Sequence, residues 1–444
     1  MWKKITRIVV LLILVSGSSY AQETWSLEKC IQFAQQNSLT VRQAQNTIRN
    51  VELSVKQAQY NRLPSLNASA NAGYQFGRTI DPVTNDFNNE RIGFNSYSVN
   101  GGITVFSGNQ INNSIKQSRV DLEASKLDAN ATSNNISLDV AAAYLSILLA
   151  EEELENARRR LGQSTRQLEQ TDKLIAAGSL PKNDRLDFVS QIALDEQAII
   201  ETENAVAGNY LRLKQLLELD PNQDIRIEKP EILIPVDIDP DRVALNELFT
   251  SAVSTLPEMR ASELRIESAD LDVDLAKGAL LPTLSFGGGF NSNYSSLARV
   301  IDGFETVRQS QTVFINDDPV NFELEVTQPA SFSRKSFWDQ INENFGQNVG
   351  ISLSVPIYNN HRNRINLERS RLGVINAELN NRQLRQQLKS DIQLAIADAR
   401  AGKRSLEASE KSLEAAQVAF ENAERRFELG AINSLEYITA RNNL

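Results

Sequence analysis

From Ile136 onward, apolar or small residues fall at 140, 143, 147, 150, 154, 157, 161, 164, 168, 171 and 175, alternating strictly by three and four. A period of 3.5 held over about five heptads predicts a long helix packed side by side with others, as in a coiled coil. Large members (Val140, Ile147, Leu154, Leu161, Leu168, Ile175) alternate with small ones (Ala143, Ala150, Ala157, Ser164, Thr171). The small residues let helices approach closely while the large ones fill the space between them. Adding 252 carries the series onto Leu388 to Phe427 with the same spacing. A helix from about Gly108 to Ala177 is roughly 100 Å long at about 1.5 Å per residue, which suits a tube or stalk. Its other face, including "EEELENARRR" at 151–160, reads as a solvated surface with i, i+4 ion pairs.

Between the helical stretches the period becomes two. Leu66, Ala68, Ala70, Ala72, Tyr74 and Phe76 alternate with Asn67, Ser69, Asn71, Gly73, Gln75 and Gly77. Tyr97, Val99, Gly101, Ile103 and Val105 form one side of a return strand. Later, Leu284, Phe286, Gly288 and Phe290 form a third strand, and Val349, Ile351, Leu353 and Val355 a fourth. Each segment spans about ten residues, the length of a tilted strand crossing an outer membrane, with one face for lipid and one for water. A soluble β-sandwich would show the same alternation, but it fits poorly beside helices of such length. Four strands leave two open edges, which lipid does not tolerate. Since membrane barrels start at about eight strands, the chain must assemble with copies of itself, and three copies supply twelve strands. The connections at 78–95 and 295–344 are expected to be extracellular loops.

The chain is an internal duplication. A stripe of Leu27, Ile31, Ala34, Val41, Ala44, Ile48, Val51, Val55 and Ala58 reappears 218 residues later, and "LPSL" at 63–66 maps onto "LPTL" at 281–284. Beyond the strands the offset becomes 252, so 34 extra residues lie between Leu284 and Ile357. The expected layout is a signal peptide at 1–21, a first repeat at 22–219, a linker at 220–244 and a second repeat at 245–444. The repeats hold hairpins at 64–106 and 282–357, with Pro64, Pro282 and Pro356 at helix–strand junctions, and turns at Gly178 and Gly430. Prolines 221, 230, 235 and 240 make the linker extended chain or a short edge strand. By the repeat, the last helix would run to about residue 471, so roughly 27 of its residues are expected beyond Leu444.

Composition narrows the function. Lys3, Lys4 and Arg7, the apolar run 8–15 and the exit "SGSSYAQ" form a secretory signal, so the mature protein is exported. Without those three cations the formal charge moves from −10 to −13, which argues against nucleic acid as a partner. Cys30 is the only cysteine; Glu28 and Lys29 before it suit a buried helix thiol better than lipidation. His361 is the only histidine, and no G-x-S-x-G, P-loop, H-E-x-x-H or C-x-x-C occurs. We therefore expect no enzyme, no cofactor and no metal site.

The duplicated helix–hairpin–helix unit, "LPSL"/"LPTL", "SVPIYNN" at a strand exit and "LGAINSLEYITA" at a helical turn together resemble the TolC-type outer-membrane efflux protein family, the outer membrane factors. The resemblance implies a mainly α fold with a membrane β-barrel part. Three chains would share a twelve-stranded barrel in outer-membrane lipid, above an α-helical tunnel across the periplasm. It further implies docking to a periplasmic adaptor (membrane fusion) protein and an inner-membrane transporter of RND or ABC type. The assembly would be a passive conduit of efflux or type I secretion for small molecules, metals or proteins. Gly178 and Gly430 take the places of the family's periplasmic turns. Asp184, Asp187 and Glu436 take entrance positions, where a threefold axis turns each carboxylate into a ring that favours cations. Two readings of these acids stay open, pore lining and stabilisation of a helix N-terminus. Thr439 stands in place of a second acid, and Ile432 and Phe427 in place of an arginine and a tyrosine that latch the entrance shut. A structural coiled-coil envelope protein and an exported hydrolase are the competing classes; the first lacks strands, the second needs a nucleophile or metal cluster.

Overall fold

The computed structural model describes residues 24–80, 85, 87–89, 91–230, 239–315 and 318–444. The expected signal peptide at 1–21 and linker residues 231–238, Pro235 among them, lie outside the described residues. In chain order the first repeat contains β1 (Thr24–Trp25), α1 (Leu27–Asn37), α2 (Leu39–Tyr60), β2 (Ser65–Gln75), β3 (Thr79–Ile80), β4 (Phe87–Asn88), β5 (Ile92–Ser107), α3 (Gln110–Ala176) and α4 (Asp184–Leu216). After β6 (Arg226–Ile227), the second contains α5 (Leu245–Thr255), α6 (Pro257–Gly278), β7 (Thr283–Ser295), β8 (Arg299–Ile315), β9 (Asp318–Arg334), α7 (Phe337–Glu343), β10 (Gly346–Ser354), α8 (Arg362–Glu428) and α9 (Ser434–Asn443). The duplication is carried into the backbone: α1 and α5 are both 11 residues, α2 and α6 both 22, and α3 and α8 both 67.

Two expectations need correction. The stripe from Leu27 to Ala58 is not one helix, because Ser38 adopts ψ 130° and breaks it into α1 and α2. In the second repeat the break falls at Leu256, ahead of Pro257, whose fixed φ suits the first position of a helix. The connection 295–344 is not a plain loop. Its alternating, β-branched sequence pairs as the long ribbon β8–β9, and Ser336 caps the short helix α7 by accepting from the Asp339 amide. The connection 78–95 likewise contains the β3–β4 pair and the start of β5.

The described chain forms two structural units, and each draws on both repeats. In the first unit, Trp25, Cys30, Ala34, Val140, Tyr144, Ile147, Leu213, Leu217 and Ile227 form a buried core. The parallel pair β1–β6 closes it, and the Tyr144 hydroxyl donates to the carbonyls of Trp25 and Glu228. Cys30 sits wholly inside, where burial pushes its thiol up to about 11. Within the linker, Asp239 is held by Lys403 of α8 at 3.0 Å, and the Pro240 carbonyl accepts from Arg400.

The second unit is built around a four-stranded antiparallel sheet of order β10-β7-β5-β2. The two hairpins join through β5 and β7, in the register Val99↔Phe290 and Ile103↔Phe286. One face carries Ala68, Val99 and Phe290 in line; the other carries Asn67, Asn100, Gly289 and Asn348. Pro64 and Pro282 immediately precede β2 and β7, and Pro356 follows the end of β10. Gly108, at φ +61°, lies against Gly278, where a Cβ on either would meet the other's carbonyl oxygen at 2.3 or 2.6 Å. Only hydrogen fits there.

Candidate functional site

Two features present themselves for function, the pair of helical turns and the open sheet edges. Gly178 and Gly430 have φ of +75° and +70°. At the first turn the Gly178 and Ser179 amides donate to Ile175 and Leu174; at the second, Gly430 and Ala431 donate to Phe427 and Arg426. Both are Schellman closures, which satisfy the last helical carbonyls and require a left-handed residue. The chain then exits differently. Asn433 is extended and its side chain accepts from the Glu436 amide at 2.9 Å, capping α9. Asn183 is already helical and makes no side-chain cap.

Aromatic packing sits beside the turns. Phe188, Phe427, Ile432, Tyr437 and Ile438 form a buried cluster, with Phe427 5.0 Å from Tyr437 and 6.1 Å from Phe188 between ring centroids. Phe427 and Ile432, where the family resemblance places a latch, are therefore core residues. Burial, then the nearby Glu424, push the Tyr437 phenol up to about 12.

The three candidate acids part company. Asp187 accepts from the Ser434 hydroxyl at 2.7 Å and so ties α4 to the start of α9. Asp184 is the first residue of α4, and partial burial followed by the charge of Asp187 raises its carboxyl above the ordinary range. Glu436 lies in the first turn of α9 and is exposed.

One cluster escaped the sequence reading. Arg441, Asp195 and Ser164 are all buried. The Arg441 guanidinium donates to Ser164, the Ser164 hydroxyl donates to Asp195, and Gln191 donates to the other Asp195 oxygen at 2.9 Å. Arg441 stands 3.8 Å from Asp195, so α3, α4 and α9 are bolted together by one ion pair and its hydrogen bonds. Asp195 follows Phe188 by one heptad, and Arg441 completes the series 434, 437, 438, 441; a charge in an apolar slot was the available signal.

At the sheet, β2 and β10 are edge strands, each with one side unpaired among the described residues. Leu66 on β2 is 75% exposed, and Val349 and Ile351 on β10 are each 73% exposed. Open backbone edges beside bare aliphatic side chains require a partner in either water or lipid.

Comparison with known proteins agrees with this geometry. The family model described as outer membrane efflux protein matches residues 30–218 and 248–444. The pyoverdine export outer membrane protein OpmQ of Pseudomonas putida is 26% identical over 181 residues, a match spanning 41% of this chain and 37% of that protein. Among solved structures, the outer membrane protein VceC of Vibrio cholerae aligns with a TM-score of 0.72 at 16% identity, covering 94% of this chain and 89% of that one. The CmeC outer membrane channel of Campylobacter jejuni aligns at 0.73 with 15% identity, covering 96% and 84%. At such identities the likeness is one of fold, while the family match extends over both repeats. The chain belongs to the outer membrane efflux protein family.

Proposed function

We propose that this protein is the outer-membrane channel of a tripartite efflux or type I secretion system, a passive homotrimeric conduit across the outer membrane and periplasm. The open four-stranded sheet carries this reading. Its two bare edges, β2 and β10, pair between copies, and three copies give twelve strands in a closed barrel, the arrangement lipid demands. Gly178 and Gly430 close the periplasmic ends of the helices. There a periplasmic adaptor and an inner-membrane transporter of RND or ABC type would engage. The cargo class is small molecules, metals or proteins, and the channel performs no chemistry on it.

Within the entrance we assign Glu436 to the pore wall, because it is exposed at a helix start that Asn433 has already capped. Asp187, committed to Ser434, positions the turn instead. Asp184 joins Glu436 as a candidate ring. Native mass measurement on detergent-extracted protein should give a trimer, and planar bilayers should show discrete conductance steps. A monomer without conductance rejects the channel. Replacing Glu436 with Gln should lower the cation preference of single channels; unchanged selectivity removes that residue from the pore wall.

A further inference from the structure

The ribbon β8–β9 accounts for the length by which the second repeat exceeds the first. It pairs from Arg299↔Arg334 to Ile315↔Asp318, far beyond the sheet that precedes it. A two-stranded ribbon alone is at best marginally stable in water, so one this long needs cover on a face. Its base is fixed. Gln340 of α7, itself buried, accepts from the Ser295 amide at 2.9 Å and donates to the Ser295 and Lys335 carbonyls. Ser292 and Asn344 add bonds to the carbonyls of Ile341 and Asn293. The ribbon thus springs from a hydrogen-bonded base on β7 and α7.

Its two faces differ. Val307↔Val326 and Val313↔Val320 lie on one face with Leu324 and Phe322, which oppose Gln309 and Gln311, and Glu305↔Gln328 closes one end of it. The other face holds Thr306↔Thr327, Arg308↔Glu325, Ser310↔Glu323 and Thr312↔Asn321, with Phe304 and Phe314 at its two ends. Phe322 and Leu324 remain 46% and 49% exposed, and no other element covers the apolar face among the described residues. Bare apolar stripes of this extent mark contact surfaces.

We propose that the apolar face of β8–β9 packs against the same ribbons of the two other copies in the trimer, forming a threefold collar beyond the barrel. This rests on the trimeric reading above. Continuity favours a second copy as occupant: the ribbon returns through α7 directly into β10, the edge strand that meets the neighbouring chain. Charge disfavours the membrane surface, since residues 299–334 hold three arginines against six acids, a net −3 that anionic headgroups repel. Pro319 and Pro329 interrupt the outer edge of β9, which favours association through the face over strand addition at that edge. Packing by the polar face would instead bring Glu323 of each copy together.

The single native thiol, Cys30, is buried, so cysteine crosslinking can test this cleanly in a Cys30→Ala background. Leu324→Cys on the apolar face should give covalent dimers on mild oxidation, several-fold above Ser310→Cys on the polar face. Adding Phe322→Asp to Leu324→Cys should abolish the crosslink while native mass still reports trimers. Trimers in which Leu324→Cys crosslinks no better than Ser310→Cys overturn the collar and leave the channel intact. Monomers by native mass overturn the trimeric reading, and the collar with it.

Discussion

Helices α3 and α8 have the same length and the same stripe, yet bury it to opposite extents. Along α3 the positions Val140, Ile147, Ala157, Ser164 and Thr171 are closed off, chiefly by the core around α1 and α4 and by the turn cluster. On α8 the counterparts Ile392, Ala416 and Ala423 are half-buried and Ala399 and Ser409 are exposed. Leu406 and Leu413, which match the half-buried Leu154 and Leu161, are 45% and 54% exposed. The returning helix α4 runs for 33 residues and closes the α3 stripe, while α9 is described for the 10 residues to Asn443. A periodic stripe specifies that a face wants a partner; it does not say whether the same chain supplies one.

The largest expected effect tests the bolt that closes the α3 stripe at Ser164. Arg441→Ala leaves Asp195 buried without its counter-charge, and such losses are about 3–5 kcal/mol. Equilibrium unfolding should show this, and Asp195→Leu combined with Arg441→Met should recover most of it. A single substitution without effect would mean that the pair contributes nothing to holding α9.

Next comes the stripe itself. Ile147→Ala should lose about 2–5 kcal/mol in the protomer, independent of protein concentration. Leu413→Ala, at a position 54% exposed, should stay within about 0.5 kcal/mol. If both variants shift thermal melts alike, the contrast between α3 and α8 fails.

Smaller changes separate the two turns. Asn433→Ala removes a helix cap and should cost about 1 kcal/mol, while Asn183→Ala should be silent. Melting both variants side by side checks this. Tyr437 offers a pH handle on the same cluster. Its folded phenol titrates near 12 against an ordinary value of 10.0, so the folded form holds its proton longer than the unfolded one. The share of stability due to Tyr437 should be intact below about pH 10 and fall as pH rises towards 12. Tyr437→Phe should make the alkaline decline shallower without removing the part due to Cys30, and an unchanged slope would assign it all to other groups.

Much of this architecture was legible beforehand. The 218 and 252 offsets recur in helix bounds, because both repeats solve the same packing problem with the same residue spacing. The strands were readable because Ala68, Val99, Phe286 and Ile351 alternate with Asn and Ser. The ribbon was missed since an insertion has no counterpart in the other repeat to mark it as structure. The Asp195–Arg441 bolt was missed for a different reason. Pairing between residues 246 positions apart depends on three helices meeting, which no local pattern encodes. Phe427 and Ile432 were read through the resemblance, although their apolar chemistry pointed to the core.

Gly178 and Gly430 carry one more consequence. A Cβ built on either meets no atom within 4 Å, unlike one at Gly108 or Gly278. Space does not demand glycine at the turns; handedness does. A D-alanine, whose mirror-image backbone preference matches a positive φ, should therefore fit where L-alanine is strained. It would also narrow the unfolded ensemble, a gain of about 0.4–1 kcal/mol by analogy with glycine-to-alanine changes at compatible sites. The two helical reversals thus select chirality without selecting size.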